Sequence, residues 1–188
     1  MILLTDGGST KCDWALLDEN SNVILKTQTS GLNPNVVSKE DIRTHIVSNK
    51  ELKNLFDKEL TLDFYGAGCG APKSRKIVEE VLEELFKKAQ ITVKEDTVVA
   101  VRAVTSEPGI VCILGTGSNS CYFDGHEIHH PIASLGCVLM DEASGNYFGK
   151  ALINDFYYGR KPKELANEFE SNFDVAQDSI LLNLYKKE

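Results

Sequence analysis

Nowhere does the chain carry an apolar run long enough to cross a bilayer, and its start lacks a basic region ahead of an apolar segment and small-residue cleavage site. The expectation is a cytoplasmic protein with no membrane association. Basic residues are scarce as well: 20 Lys and Arg against 28 Asp and Glu, a net charge of −8. A nucleic-acid or anionic-lipid surface needs a basic face, so a small molecule or a protein is the expected partner. No Cys-x-x-Cys spacing occurs, and Cys12, Cys69, Cys112, Cys121 and Cys137 are an odd number, which suggests neither a disulfide framework nor a zinc ribbon. Most should be small buried hydrophobes. "GHEIHHP" sets His126, His129 and His130 near Cys137, but alternation would send His129 and His130 to opposite faces, so a polar turn and strand end is expected there rather than a metal site. The P-loop pattern G-x-x-x-x-G-K-[ST] is missing too.

What remains is globular material, 188 residues with 42% apolar and 26% charged, enough for one sizeable core or two small lobes. "MILLTDGGSTKCDWALLD" is an apolar run, a Gly/Ser/Thr loop and an alternating run, in which Cys12, Trp14 and Leu16 face one way. Trp14 is expected in the core. With "VILKTQT" it predicts three antiparallel strands. "SKEDIRTHIVSNKELKNLFDKEL" follows at near-helical spacing with Ser38 as N-cap. "TLDFYGAGCGAP" reads as a strand and glycine-rich turn. "KSRKIVEEVLEELFKKAQ" reads as an amphipathic helix with Glu early and Lys late, as the dipole prefers. "ITVKE" then reads as a strand and "DTVVAVRAV" as a short helix. Three strands, helix, strand, helix, strand, helix make one complete α/β unit, closing near "SEPG".

The opening pattern then returns. "GIVCILGTGSNSCYFDGHEIHH" is again strand, glycine loop, alternating strand, tight turn and strand. An offset of 109 residues pairs Gly8 with Gly117, Ser9 with Ser118 and Cys12 with Cys121, which favours a repeated lobe. A single such hairpin is an ordinary turn. Two facing each other could grip a polyphosphate, because glycines let consecutive N–H groups converge on an anion and Ser9, Thr10, Thr116 and Ser118 add hydroxyls.

"DGGSTKCDW" and "GTGSNS" resemble the two phosphate loops of the actin, hexokinase and heat-shock chaperone superfamily. With "SGLNPN", "FYGAGC", "GIVCILGTGSNSC" and "DEASGNYFGK", the chain resembles the N-acetylglucosamine kinase branch and the BadF/BadG-type ATPases from Leu3 to about Gly159. The resemblance implies an α/β, ribonuclease H-like ATPase fold, with a full lobe over 1–107 and an apparently incomplete second lobe over 108–188. It implies ATP and Mg²⁺ as cofactors, with Asp6 holding Mg²⁺ through water. Gly7, Gly8, Ser9 and Thr10 would form the first phosphate loop, and Gly115, Thr116, Gly117 and Ser118 the second. Asp96 would be the base that takes the proton of a sugar 6-hydroxyl, while Asn33, Asn119 and Asp141 would hydrogen-bond the amino sugar. Such transfer needs alignment, neutralised phosphate charge and one carboxylate near the nucleophile.

Each residue also has a plainer reading. Asp96 suits a helix N-cap, Asp6 an Asx turn, Asn33 the turn before Pro34, and Asp141 with Glu142 an acidic helix start. Lys11 reads as a solvated strand residue. Two departures from the family matter. Where its sugar-side loop is written Gly-Asp-Glu-Gly-Ser-Gly, this chain has Met140 and Ala143 in place of glycines, losing access to positive φ. Family members also continue for about another hundred residues, an ordinary domain's worth, carrying an adenosine loop.

The expected activity is ATP-dependent phosphorylation of N-acetylglucosamine or a related amino sugar. A non-catalytic sugar or nucleotide sensor is the alternative. A dehydratase-activating ATPase is another, though no cysteine pair resembles its iron–sulfur site. Homodimerisation stays open.

Overall fold

The computed structural model describes residues 1–185. β1 (Ile2–Gly7), β2 (Lys11–Leu17) and β3 (Val23–Ser30) form the expected antiparallel meander. β4 (Leu60–Gly66) and β5 (Ala89–Glu95) add in parallel to the other side of β1, giving the order β3-β2-β1-β4-β5. Parallel neighbours need crossovers. Here α1 (Lys39–Ser48), α2 (Lys50–Lys53) and α3 (Pro72–Leu85) supply them.

One face of this sheet carries the main core. Leu3, Cys12, Trp14, Leu62 and Phe64 meet Ile42, Ile46, Val78, Val81 and Leu82 from the helices, all buried. Trp14 lies edge-on to Phe64 and stacked on Phe86, and its indole N–H donates to Thr29 at 3.2 Å, so a large apolar side chain is buried with its one polar atom satisfied. Cys69 and Cys121 are buried like Cys12, whereas Cys112 is exposed and Cys137 half-buried.

Two helix expectations are corrected. The segment after Ser38 breaks at Asn49, which ends α1, caps α2 by accepting from Leu52 N–H, and donates to Thr27 Oγ1 at 2.8 Å. Ser38 and Asp41 form the capping box at the start. α3 stops at Leu85, ahead of Lys87 and Lys88, because Ala89 and Gln90 pair with β4. Its first turn holds no acid and its last no base, contrary to the dipole expectation. Glu80 and Glu84 instead pair across to Lys39 and Arg43 of α1.

α4 (Asp96–Val104) follows β5 directly and packs with Val101 against Val111 and Cys121 of a second sheet. That sheet is β6 (Gly109–Leu114), β7 (Ser118–Phe123) and β8 (Ile128–His129), antiparallel throughout, so the strand–loop–strand repeat is present. Asp124 closes the β7–β8 turn by accepting from the N–H groups of His126 and Glu127 and from His129 Nε2.

By contacts the chain divides into two compact units, Met1–Ser144 and Gly145–Glu188. The second contains α5 (Gly145–Tyr157), α6 (Lys163–Asn172) and α7 (Gln177–Tyr185), with Phe169 between Phe156 and Phe173. No helix among the described residues is long and apolar enough to cross a membrane.

Candidate active site

The first glycine loop is fixed from below. Gly8 N–H donates to the carbonyl of Lys11 at 2.8 Å, while Gly31 N–H donates to Thr10 and Leu32 N–H to Gly8. Gly31 must be glycine, since a Cβ there would strike the Ser9 carbonyl. Asn33 is buried under the loop, donating to Ser9 Oγ at 2.8 Å and accepting from Asn35 N–H, so its Asx turn and its place at the loop coexist.

The second loop turns at Gly115–Gly117, closed by Gly115 N–H on the Gly117 carbonyl at 2.9 Å. The two loops touch: Thr10 Oγ1 lies 2.9 Å from Thr116 Oγ1. The N–H groups of Ser9, Thr10, Thr116 and Gly117 make no backbone hydrogen bond among the described residues. That leaves four donors on two touching loops, a donor set of the kind an anion can take up. Among the described residues one of the two threonine hydrogens has no acceptor, nor has that of Ser9. Ser118 spends its own on the Glu142 carbonyl at 2.8 Å.

Asp6, at the end of β1, is exposed and its carboxylate accepts no hydrogen bond among the described residues. Such an acid has room for a hydrated Mg²⁺, and together with the hydroxyls and free N–H groups the donor set fits a magnesium–polyphosphate ligand. Asp96 is partly buried, and its pKa is pushed up to about 6 by burial, by the neighbouring Glu95 carboxylate and, more weakly, by Asp6, against the pull of the Thr97 N–H. Asp96 is the first residue inside α4; the cap position belongs to Glu95, which makes no side-chain cap bond. The N-cap reading of Asp96 is thereby corrected. Burial and the charge of Asp96 also push the Cys69 thiol up to about 12, which leaves no thiolate nucleophile at that position.

Asp141 lies against the second loop, where a Cβ on Gly117 would come within 2.6 Å of its carboxylate. Asp141 and Ala143 both take positive φ, +68° and +63°. The backbone therefore keeps a glycine-like path at Ala143 in spite of the Cβ. Met140 does not take positive φ. Asn119 donates to Glu95 Oε1 at 3.4 Å and accepts from Ser120 N–H at 2.8 Å. Lys11 pairs with Asp13 on its own strand and is a solvated residue.

Sequence reasoning missed Glu95, and it read His130 only as a strand end. His130 and His129 do part company: His129 goes to Asp124, while His130 reaches Thr97 Oγ1 at 3.2 Å and Glu95 at 3.8 Å. Alternation was the signal for the parting. Nothing local announces the Glu95 contacts.

No protein-family model matches the chain, and no curated protein sequence matches it. Solved structures do. A proposed N-acetylglucosamine kinase from Porphyromonas gingivalis is 35% identical with a TM-score of 0.83, over 100% of this chain and 67% of that protein. Another from Chromobacterium violaceum has a TM-score of 0.65 at 16% identity, over 99% of this chain and 68% of its own. MreB 5 of Spiroplasma citri bound to AMPPNP reaches 0.57 at 12% identity, over 90% of this chain and 61% of that one. The last two speak for the fold, which is that of the actin and hexokinase ATPases. The first speaks for descent, and the chain belongs to the family of N-acetylglucosamine kinases and BadF-type ATPases.

Proposed function

We propose that the protein is an ATP-dependent kinase that phosphorylates N-acetylglucosamine or a close amino sugar at its 6-hydroxyl. The observation that carries this reading is the contact of Thr10 with Thr116, which brings together two glycine loops with four N–H groups that have no backbone partner among the described residues. In this reading residues 1–107 form the first lobe and 108–188 belong to the second. Gly7 to Thr10 and Gly115 to Gly117 cradle the phosphates through N–H and hydroxyl donors. Ser118, whose hydrogen is engaged, shapes the second loop. Mg²⁺, held through water by Asp6, offsets phosphate charge when ATP is bound.

Asp96 orients the acceptor hydroxyl and takes its proton, a role suited to a carboxyl with a pKa near 6, which is mostly ionised at neutral pH. Asn33, Asn119 and Asp141 hold the sugar. The family relationship to proposed N-acetylglucosamine kinases supports the substrate class.

The test is direct: purified protein, Mg-ATP and N-acetylglucosamine, with ADP release and sugar phosphate both followed. Sugar-6-phosphate formed by the wild type and lost in Asp96→Asn is the expected result. Neither product from any amino sugar, with a control kinase active, would reject it. A non-catalytic sensor is the second reading, favoured by the strained Ala143 beside Asp141, and tight sugar binding without ADP would establish it.

A further inference from the structure

Glu95 occupies the cap position of α4 but leaves the helix N–H groups alone. Its carboxylate turns toward the second sheet. Oε1 lies 3.4 Å from Asn119 Nδ2 on β7, and Oε2 lies 3.8 Å from His130 Nδ1 just after β8. Gly70, in the loop between β4 and α3, makes the room: a Cβ there would sit 3.0 to 3.2 Å from the carboxylate atoms. Three separate segments thus converge on one acid. His130 is steadied on its far side by Thr97 Oγ1 at 3.2 Å.

The consequence falls on Asn119. Its Oδ1 is taken by Ser120 N–H at 2.8 Å, and one Nδ2 hydrogen faces Glu95. A carboxylate only accepts, so a flipped amide would set oxygen against oxygen. The remaining Nδ2 hydrogen is therefore presented as a donor in a fixed direction. Other ionisable groups around Glu95, besides the His130 ring, are the Asp96 carboxylate and Arg75, whose guanidinium donates to the carbonyls of Cys69 and Gly70.

We infer that Glu95 is a positioning residue for acceptor recognition: with His130 and Gly70 it locks the Asn119 amide so that the site offers a hydrogen-bond donor to an oxygen of the sugar. The inference rests on the sugar-kinase reading for what Asn119 touches, but the lock itself does not depend on catalysis. Three variants of the full chain test it: Glu95→Gln keeps an acceptor, Glu95→Asp withdraws it by one methylene and keeps the charge, and Glu95→Ala removes it. The Asn119 side-chain amide resonances in nitrogen-edited spectra should hold in E95Q and move in E95D and E95A. The KM for N-acetylglucosamine should rise about tenfold in E95D and E95A and stay within about twofold in E95Q, with kcat changing less than KM in E95D, as for one charge-assisted hydrogen bond lost. Unchanged Asn119 resonances in E95D and E95A would overturn the lock. Should the wild type phosphorylate no amino sugar, the kinase reading fails while the amide spectra still decide the role of Glu95. Should E95A not fold, E95D and E95Q carry the comparison.

Discussion

Thr10 and Thr116, 106 residues apart in the chain, meet hydroxyl to hydroxyl at 2.9 Å. Each sits in a hairpin loop where its own N–H and that of one neighbour, Ser9 or Gly117, have no backbone partner among the described residues. Valine at either position keeps the shape and removes the hydroxyl. Thr10→Val and Thr116→Val should each raise the KM for ATP about three- to tenfold, the range of one hydrogen bond. The two residues share one bond, so the double variant should cost less than the sum of the singles. Steady-state kinetics on the four proteins reads this, and full additivity would separate the loops functionally.

Asp96 titrates in a range where kinetics can see it. A base must be ionised, and with its pKa near 6 the kcat/KM should climb between pH 5 and 7 with a midpoint near 6. Asp96→Asn should lower kcat at least about a hundredfold. The effect on stability runs the other way. Because the folded pKa lies above the ordinary 3.8, the carboxyl favours the fold fully only below about pH 4, and that advantage is lost as pH rises through about 6. Removing the charge should therefore raise Tm at pH 8, by roughly 2–4 °C for about 1 kcal/mol in a chain of this size, and not at pH 4. Equal shifts at both pH values would contradict the burial of a charged Asp96.

Gly31 shows how the first loop depends on a residue outside it. Its N–H holds the Thr10 carbonyl at 2.9 Å, and the space for a side chain is filled by the Ser9 backbone. Gly31→Ala should shift the loop, destabilise the chain by about 1–3 kcal/mol as overpacking does, and raise the KM for ATP. Gly149→Ala is the control. It lies in α5, where an added Cβ would meet no other part of the described residues within 4 Å, and there alanine should be stabilising by up to about 1 kcal/mol. Urea midpoints of the two variants should move in opposite directions.

How much of this was legible in the sequence follows from how local each signal is. The hairpins around Gly8 and Gly117 were readable, because apolar alternation broken by Gly, Ser and Thr is a short-range pattern that folding respects. So was Trp14 in the core. The end of α3 was not: "FKKAQ" has helical propensity, but pairing of Ala89 and Gln90 with β4 overrides it. The break at Asn49 depends on Thr27 and Gln28 of β3, far away in sequence. Glu95 was invisible for the same reason, since Asn119 and His130 reach it only once the second sheet has packed on α4.

Ala143 joins stability to specificity. Its φ of +63° lies in the left-handed region, where an L side chain costs roughly 1–2 kcal/mol. Glycine removes that strain but adds about 0.4–1 kcal/mol of unfolded-state freedom. Ala143→Gly should therefore stabilise the chain by about 0.5–1 kcal/mol, read as a higher urea midpoint at unchanged slope. Ser144 N–H already holds the Asp141 carbonyl at 3.2 Å, so the backbone path is set without the glycine and the sugar KM should stay within about twofold. A large fall in KM would mean instead that the Ala143 methyl obstructs the sugar beside Asp141, and that this chain has moved away from the acceptor its relatives are proposed to use.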